Sequence, residues 1–203
     1  MSNVQYATLQ AVRSELTASR SEDISADVLA TLESNIVAAS RLIDRYKGVE
    51  PGAYKTAGVT ATVRYFTGNG RQWLQVDNFT SATEVAELRN EYTALTIDDD
   101  YNLWPYDAPA KGEPYRALEN ERGTWPIRKK GIRVTAVWGV SANVPADIER
   151  ACKIQATRWY MRALNSWQDS AVNPMGGLNF VQTLDPDVKA ILDAAYPHGG
   201  GLR

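Results

Sequence analysis

The chain has 203 residues, 44% hydrophobic and 23% charged, which is ordinary globular usage and excludes a largely disordered polypeptide. Lysine and arginine number 22 against 24 carboxylates, a formal net charge of −2, so a general polyanion binder is excluded: counterion release needs a surplus of cations at the contact. No apolar run approaches the roughly 18–20 residues that span a bilayer, and the length suits one sizeable core, or a core with a smaller second unit.

The opening Met1–Gln5 has no basic segment followed by an apolar one, which predicts a chain without a secretory leader, made and used in a cytosol. A short helix is predicted over about 5–17, with Leu9, Val12 and Leu16 on one side. A longer one follows over 26–47. Ser25 is its expected N-cap, and Asp27 places a negative charge in the first turn. Leu29, Leu32, Ile36, Ala39, Ile43 and Tyr46 recur at three- and four-residue spacing, an apolar stripe along one face. Gly48 and Pro51 stop it.

Residues 51–143 change character. Four of the six tryptophans and six of the ten tyrosines fall here, among prolines and glycines. Val59, Ala61, Val63 and Tyr65 alternate with Thr60, Thr62 and Arg64, a strand period. Gly68-Asn69-Gly70 can supply positive φ for a reversal, so Gln72–Val76 reads as the returning strand of a hairpin. Thr83–Leu88 is a further strand candidate. Ile132, Val134, Ala136 and Trp138 alternate with Arg133, Thr135 and Val137, the clearest strand signal in the chain. Pro105, Pro109, Pro114 and Pro126 break the interval. The block is expected to be an antiparallel β unit with long loops.

A helix is predicted over 145–167. Pro145 suits its first position, Asp147 and Glu149 its opening turn, and Arg158 and Arg162 its C-terminal end. Ile148, Cys152, Trp159 and Ala163 follow one face. A polar connection over 168–184 leads to a short helix opening at Asp185-Pro186-Asp187, with Val188, Ile191, Leu192 and Ala195 as its stripe. Pro197 and three glycines end it. The expected architecture is α+β: a connector core over 1–167, helical at 1–50 and 144–167 with a β-rich insertion at 51–143, and a C-terminal docking arm over 168–203. A short helix at the end of a polar linker has little of its own to bury. It must dock on its own core or on another chain.

One cysteine and one histidine limit the chemistry. Cys152 has no disulfide partner, and a structural zinc site needs about four Cys/His ligands. A Cys-His pair or a Ser-His-Asp triad would depend on His198, set in a Gly-rich end poorly suited to holding catalytic geometry. Cys152, on an apolar stripe, reads as an inert buried thiol. Ile97-Asp98-Asp99-Asp100 lacks the glycine and distal glutamate of a calcium loop and reads as a solvated turn. Gly68–Arg71 has no phosphate-loop pattern. Arg128-Lys129-Lys130 is the densest basic cluster, suited to phosphates or an acidic neighbour, or to a solvated strand edge. The tryptophans of 51–143 could form a sugar-stacking platform or fill the β core. By block, five cations face seven carboxylates in 1–50, eleven face eleven in 51–143, four face two in 144–167 and two face four in 168–203. No block carries a field that argues nucleic-acid binding.

The order of elements resembles the head-tail connector (adaptor, or head-completion) proteins of long-tailed bacteriophages. The resemblance rests on Ala38–Tyr46, on Leu103-Trp104-Pro105 with the later Trp125-Pro126, on Ile132–Gly139 running into Val144–Ala151, and on Leu184–Leu192. It spans nearly the whole chain, and no part of it is a catalytic signature. The long β block and the 168–184 linker depart from the family pattern. The resemblance implies a non-enzymatic virion protein without cofactor or metal. It implies a homo-oligomeric ring, expected as a dodecamer, bound beneath the portal protein. Such a ring extends the channel through which DNA passes without sequence-specific contact and offers a platform to the next neck or tail-terminator protein, away from any membrane. In that family the C-terminal segment reaches the portal, which points here to Asp185, Pro186, Val188, Ile191, Leu192 and Tyr196. Arg128, Lys129, Lys130, Arg158 and Arg162 are the expected subunit-interface residues. A ring joined head to tail needs two different complementary patches per subunit. The other readings are a tail-completion or neck protein of similar architecture, and a carbohydrate-binding module using the aromatic-rich block.

Overall fold

The computed structural model describes residues 4–17, 26–164 and 184–194. Ser25, residues 165–183 and Tyr196 with the chain end lie outside them. The fold is α+β and divides into two compact units: residues 1–52 with 144–203, and residues 53–143.

The first unit is helical. It holds α1 (Leu9–Thr17), α2 (Ala26–Lys47), α4 (Ala146–Leu164) and α5 (Pro186–Ala194). α1 begins at Leu9 rather than near residue 5, because Thr8 caps it: the Thr8 Oγ1 accepts the Ala11 amide at 3.1 Å. The α2 stripe forms as its spacing dictates, and Leu32, Ile36, Ala39 and Ile43 are fully buried. On α4, Ile148, Ala151, Cys152, Gln155 and Ala156 are fully buried, whereas Trp159 and Ala163 are half-buried. The two faces meet where Ser40 Oγ and Cys152 Sγ lie 3.5 Å apart.

The N-terminal segment is fastened to α2 by a buried carboxylate. Tyr6 donates its hydroxyl to Asp44 Oδ1, Arg41 Nη1 donates to Asp44 Oδ2 at 2.6 Å, and the Gly52 amide donates to the same oxygen at 3.2 Å. Ser40 Oγ accepts the Tyr6 amide at 3.0 Å. One turn of α2 thus orders the chain on both sides of it.

The second unit is a six-stranded sheet in which every paired strand is antiparallel. Its strands are β1 (Thr62–Phe66), β2 (Trp73–Leu88), β3 (Tyr92–Leu95), β4 (Tyr101–Trp104), β5 (Tyr115–Asn120) and β6 (Ile132–Trp138), and α3 is a single turn over Ala108–Lys111. The path runs β1-β6-β2-β5-β4, with β3 also on β2. β2 is the spine. Its first half pairs with β5 and its second half with β6 and β3, and register shifts between Gln75 and Phe79, Phe79 and Ser81, and Ala82 and Glu84 bend it. Both stretches expected as separate strands, 72–76 and 83–88, are therefore parts of one element.

The hairpin expected around Gly68–Gly70 does not form, because β1 pairs with β6 from Thr62↔Ala136 to Phe66↔Ile132. Residues 67–72 instead run beside the 121–131 loop. The Gly70 amide donates to the Trp125 carbonyl, and the Trp125 amide to the Arg71 carbonyl, each at 2.9 Å. Only glycine fits at 68, where a Cβ would stand 2.1 Å from the Pro126 carbonyl oxygen. Together these loops cross the sheet and press Trp125 into its core. Trp125 is fully buried beside Leu74, Phe79, Leu118 and Val134, and its indole N–H donates to the Leu118 carbonyl at 3.2 Å. Trp138 is partly buried against the same core.

Candidate docking surfaces

Among the described residues no helix is long and apolar enough to cross a membrane, and no group of three His, Cys, Asp or Glu could hold a metal ion. The first candidate surface is α5. Asp185 caps it: Asp185 Oδ1 accepts the Asp187 amide at 2.9 Å, and Asp185 Oδ2 pairs with Arg158 Nη1 at 2.8 Å. The Asp185 amide donates to the buried Gln155 Oε1 at 3.2 Å. Val188 and Leu192 are fully buried within the helical unit, Ile191 is half-buried and Pro186 is exposed. At the far end, Lys47 Nζ donates to the Leu192 carbonyl at 2.9 Å, a cation on a helix C-terminus. Burial holds the Lys47 ammonium below its usual pKa. Asp193 Oδ1 accepts the Tyr46 hydroxyl, and Asp193 Oδ2 pairs with Lys189 at 2.8 Å.

The basic residues singled out from the sequence sort into different roles. Arg158 is engaged with the α5 cap, and Arg162 is half-buried one turn farther along α4. Arg128 reaches back to the β2–β3 turn, where its Nη1 donates to the Leu88 carbonyl at 3.1 Å and the Arg89 carbonyl at 2.6 Å. Lys130 sits at φ 53°, accepts the Tyr92 hydroxyl on its carbonyl at 2.7 Å and holds Nζ 5.6 Å from the centre of the Tyr65 ring. Lys129 is exposed, with no ion pair among the described residues.

The acidic turn is likewise divided. Asp100 Oδ2 accepts the Thr96 amide at 2.8 Å, and Asp100 Oδ1 pairs with Arg122 Nε at 2.8 Å. Asp98 and Asp99 are exposed and make no side-chain ion pair among the described residues.

Among the described residues, the aromatic side chains of the β unit divide between its core and its margin. Trp125 is in the core. Trp104 meets Trp73 edge-on at 5.9 Å, and Arg116 stacks on its ring at 4.6 Å. Tyr106, largely exposed, donates its hydroxyl to Glu119, and that hydrogen bond pushes the phenol up to about 12. Cys152 is buried, and burial pushes its thiol up to about 11.

Sequence reasoning missed Tyr46, Lys47 and Gln155 as the residues that hold α5. Tyr46 and Lys47 read as the end of an amphipathic helix, and Gln155 interrupts the α4 stripe. That interruption, a polar residue at a core position, was the available signal.

No protein-family model matches the chain, and no curated protein is similar to it. Solved structures are. A chain in the neck of an empty gene transfer agent (GTA) particle, computed with C6 symmetry, matches 93% of this chain and 88% of its own length, at 17% identity and a TM-score of 0.52. A chain in the neck of the native GTA particle, computed with C12 symmetry, covers 92% and 86% at 13% identity and a TM-score of 0.45. One in the virion of the native particle covers 84% and 78% at 19% identity and a TM-score of 0.45. Over nearly its whole length, this polypeptide has the fold of a chain from the neck of a gene transfer agent particle.

Proposed function

We propose that the protein is a structural, non-enzymatic subunit of a phage neck: a head-to-tail adaptor ring that binds below the portal, continues the DNA channel and presents a platform to the next neck or tail component. The observation that carries this reading is the fold shared with the GTA neck chain over 93% of the length, at a TM-score of 0.52. It agrees with the element order that resembled adaptor proteins. In this reading the chain is a virion component, and twelve copies close the ring.

The portal contact belongs to the C-terminal segment, with Asp185, Pro186, Val188, Ile191, Leu192 and Tyr196 as the contact set. Val188 and Leu192 are packed inside the isolated chain. Their engagement therefore exchanges packing within the helical unit for packing on the portal. Such an exchange also gives up the Lys47–Leu192 and Arg158–Asp185 contacts, which the portal must replace.

The test is reconstitution. DNA-filled heads that carry portal are mixed with purified protein and imaged. Density for a ring below the portal, lost when residues 184–203 are deleted, is the expected result. Co-purification with tails instead of filled heads overturns the adaptor assignment in favour of tail completion.

A further inference from the structure

The six large hydrophobic side chains that stand clearly exposed among the described residues are Val59, Val63, Tyr65, Ile97, Tyr106 and Ile127. All six belong to the 53–143 unit, although that unit has a filled core of its own. Tyr106 is engaged with Glu119 of its own chain, and three others accompany charge. Ile127, 81% exposed, precedes Lys129 and Lys130 on the crossing loop, and Lys130 lies over Tyr65, itself 48% exposed. Ile97, 47% exposed, precedes Asp98 and Asp99. One surface is thus apolar and basic, and the other apolar and acidic.

The fold keeps the two apart. Arg122, at the start of the 121–131 loop, pairs with Asp100 of the acidic turn, and the Glu121 amide donates to the Asp100 carbonyl at 3.0 Å. At the loop's other end, Lys130 meets Tyr65 on β1 and Tyr92 at the start of β3. The four residues of β3 run from that basic end toward the acidic turn. At about 3.3 Å per residue they span about 13 Å, beyond the roughly 8 Å screening length at physiological salt. The patches therefore do not neutralise each other, and each keeps its charge for a partner.

We propose that the basic end of the crossing loop in one copy, Ile127, Lys129 and Lys130 with Tyr65, seats on the Ile97-Asp98-Asp99 turn of a second copy of this chain. The contact joins two different patches, so it is heterologous and repeats head to tail until the rotation closes. Charge steers the encounter, and burial of the isoleucines and Tyr65 holds it. The inference rests on the ring reading above and assigns that ring's subunit contact to the β unit. It keeps Lys129 and Lys130 of the expected interface set and leaves Arg128 to its own chain, where it clamps the β2–β3 turn.

Charge reversal tests the pairing. One variant carries Lys129→Glu and Lys130→Glu, so both of its patches are acidic. The other carries Asp98→Lys and Asp99→Lys, so both are basic. Assembly of the full-length chain is followed by sedimentation and native mass spectrometry, and on portal-bearing heads. The wild type is expected to form rings that weaken with added salt. Each variant alone is expected to lose them, and an equimolar mixture to regain them with the two chains alternating. Recovery in the mixture also shows that both variants are folded. Wild-type rings with fully assembling variants overturn the pairing and leave the ring standing, as does a mixture of folded variants that stays dispersed. A wild type that forms no ring, free or on heads, overturns the ring reading and the pairing with it.

Discussion

Lys47 Nζ, near the end of α2, donates to the Leu192 carbonyl on the last turn of α5 at 2.9 Å. The residues lie 145 positions apart. The bond gives a short C-terminal helix, too short to persist alone in water, a fixed seat on the helical unit. With the Arg158–Asp185 pair at the opposite end, α5 is gripped at both termini.

Lys47→Met keeps most of the apolar stem and removes the donor. The Leu192 carbonyl then loses its charged partner, at a cost of about 1.5–3 kcal/mol. The expected outcome is faster amide exchange across 186–194, with α1, α2 and α4 still protected. Unchanged protection of α5 would show that its apolar face alone holds it.

Asp44 predicts a pH dependence. Burial raises its carboxyl above the ordinary 3.8, against donors from Tyr6, Gly52 and Arg41 that pull it down. The folded chain therefore holds this proton to higher pH than the unfolded chain. Its contribution to stability is fully present below pH 3.8 and is lost as pH rises through the raised value. Asp44→Asn is neutral throughout and carries no such slope. Urea unfolding across the mildly acidic range should show the wild type losing stability relative to the variant as pH increases. A relative gain contradicts the sign.

Trp125 and Trp104 should separate fold from surface. Trp125→Ala empties the centre of the β core and is expected to cost about 3–5 kcal/mol. Trp104→Ala, at the half-buried margin, should leave the sheet folded in circular dichroism and thermal melts. Equal losses from both would contradict the placement of Trp125 as the central plug.

Gly68→Ala probes the loop that replaced the expected hairpin. Its methyl would fall 2.1 Å from the Pro126 carbonyl oxygen, forcing the two crossing loops apart. Overpacking of this kind costs about 1–3 kcal/mol. Tryptophan emission should shift to the red as Trp125 is loosened, whereas a wild-type spectrum and melting temperature would place the close approach elsewhere.

Cys152 should be silent toward thiol reagents. Its thiol is buried and pushed up to about 11, so little thiolate exists at neutral pH and reagents reach it only on unfolding. The labelling rate is expected to follow the fraction of open helical unit through a denaturant series. Rapid labelling in native buffer would mean that the α2–α4 contact opens on its own.

Local patterns were legible where one element supplies its own signal. The α2 stripe and the β6 alternation appear where their periods place them, since each buries one face whatever it packs against. The interval between residues 88 and 132 hid β3, β4 and β5, short strands whose pairing depends on β2 and on one another. The α5 stripe was legible too, but its seat was not, because Lys47, Gln155 and Arg158 come from helices far away in sequence. The basic cluster was visible as a run of charge, although only the fold assigns Arg128 to its own backbone and leaves Lys129 facing outward.

By itself, then, the order of residues determined the helices of the first unit, the strongest strand, the burial of Cys152 and the near-neutral charge. Tertiary structure decided that β1 joins β6 instead of β2, that Trp125 fills the core, and that two opposite charge patches stay separate. Period and composition act within a few residues, whereas strand partners, burial and charge separation are set by contacts between distant segments.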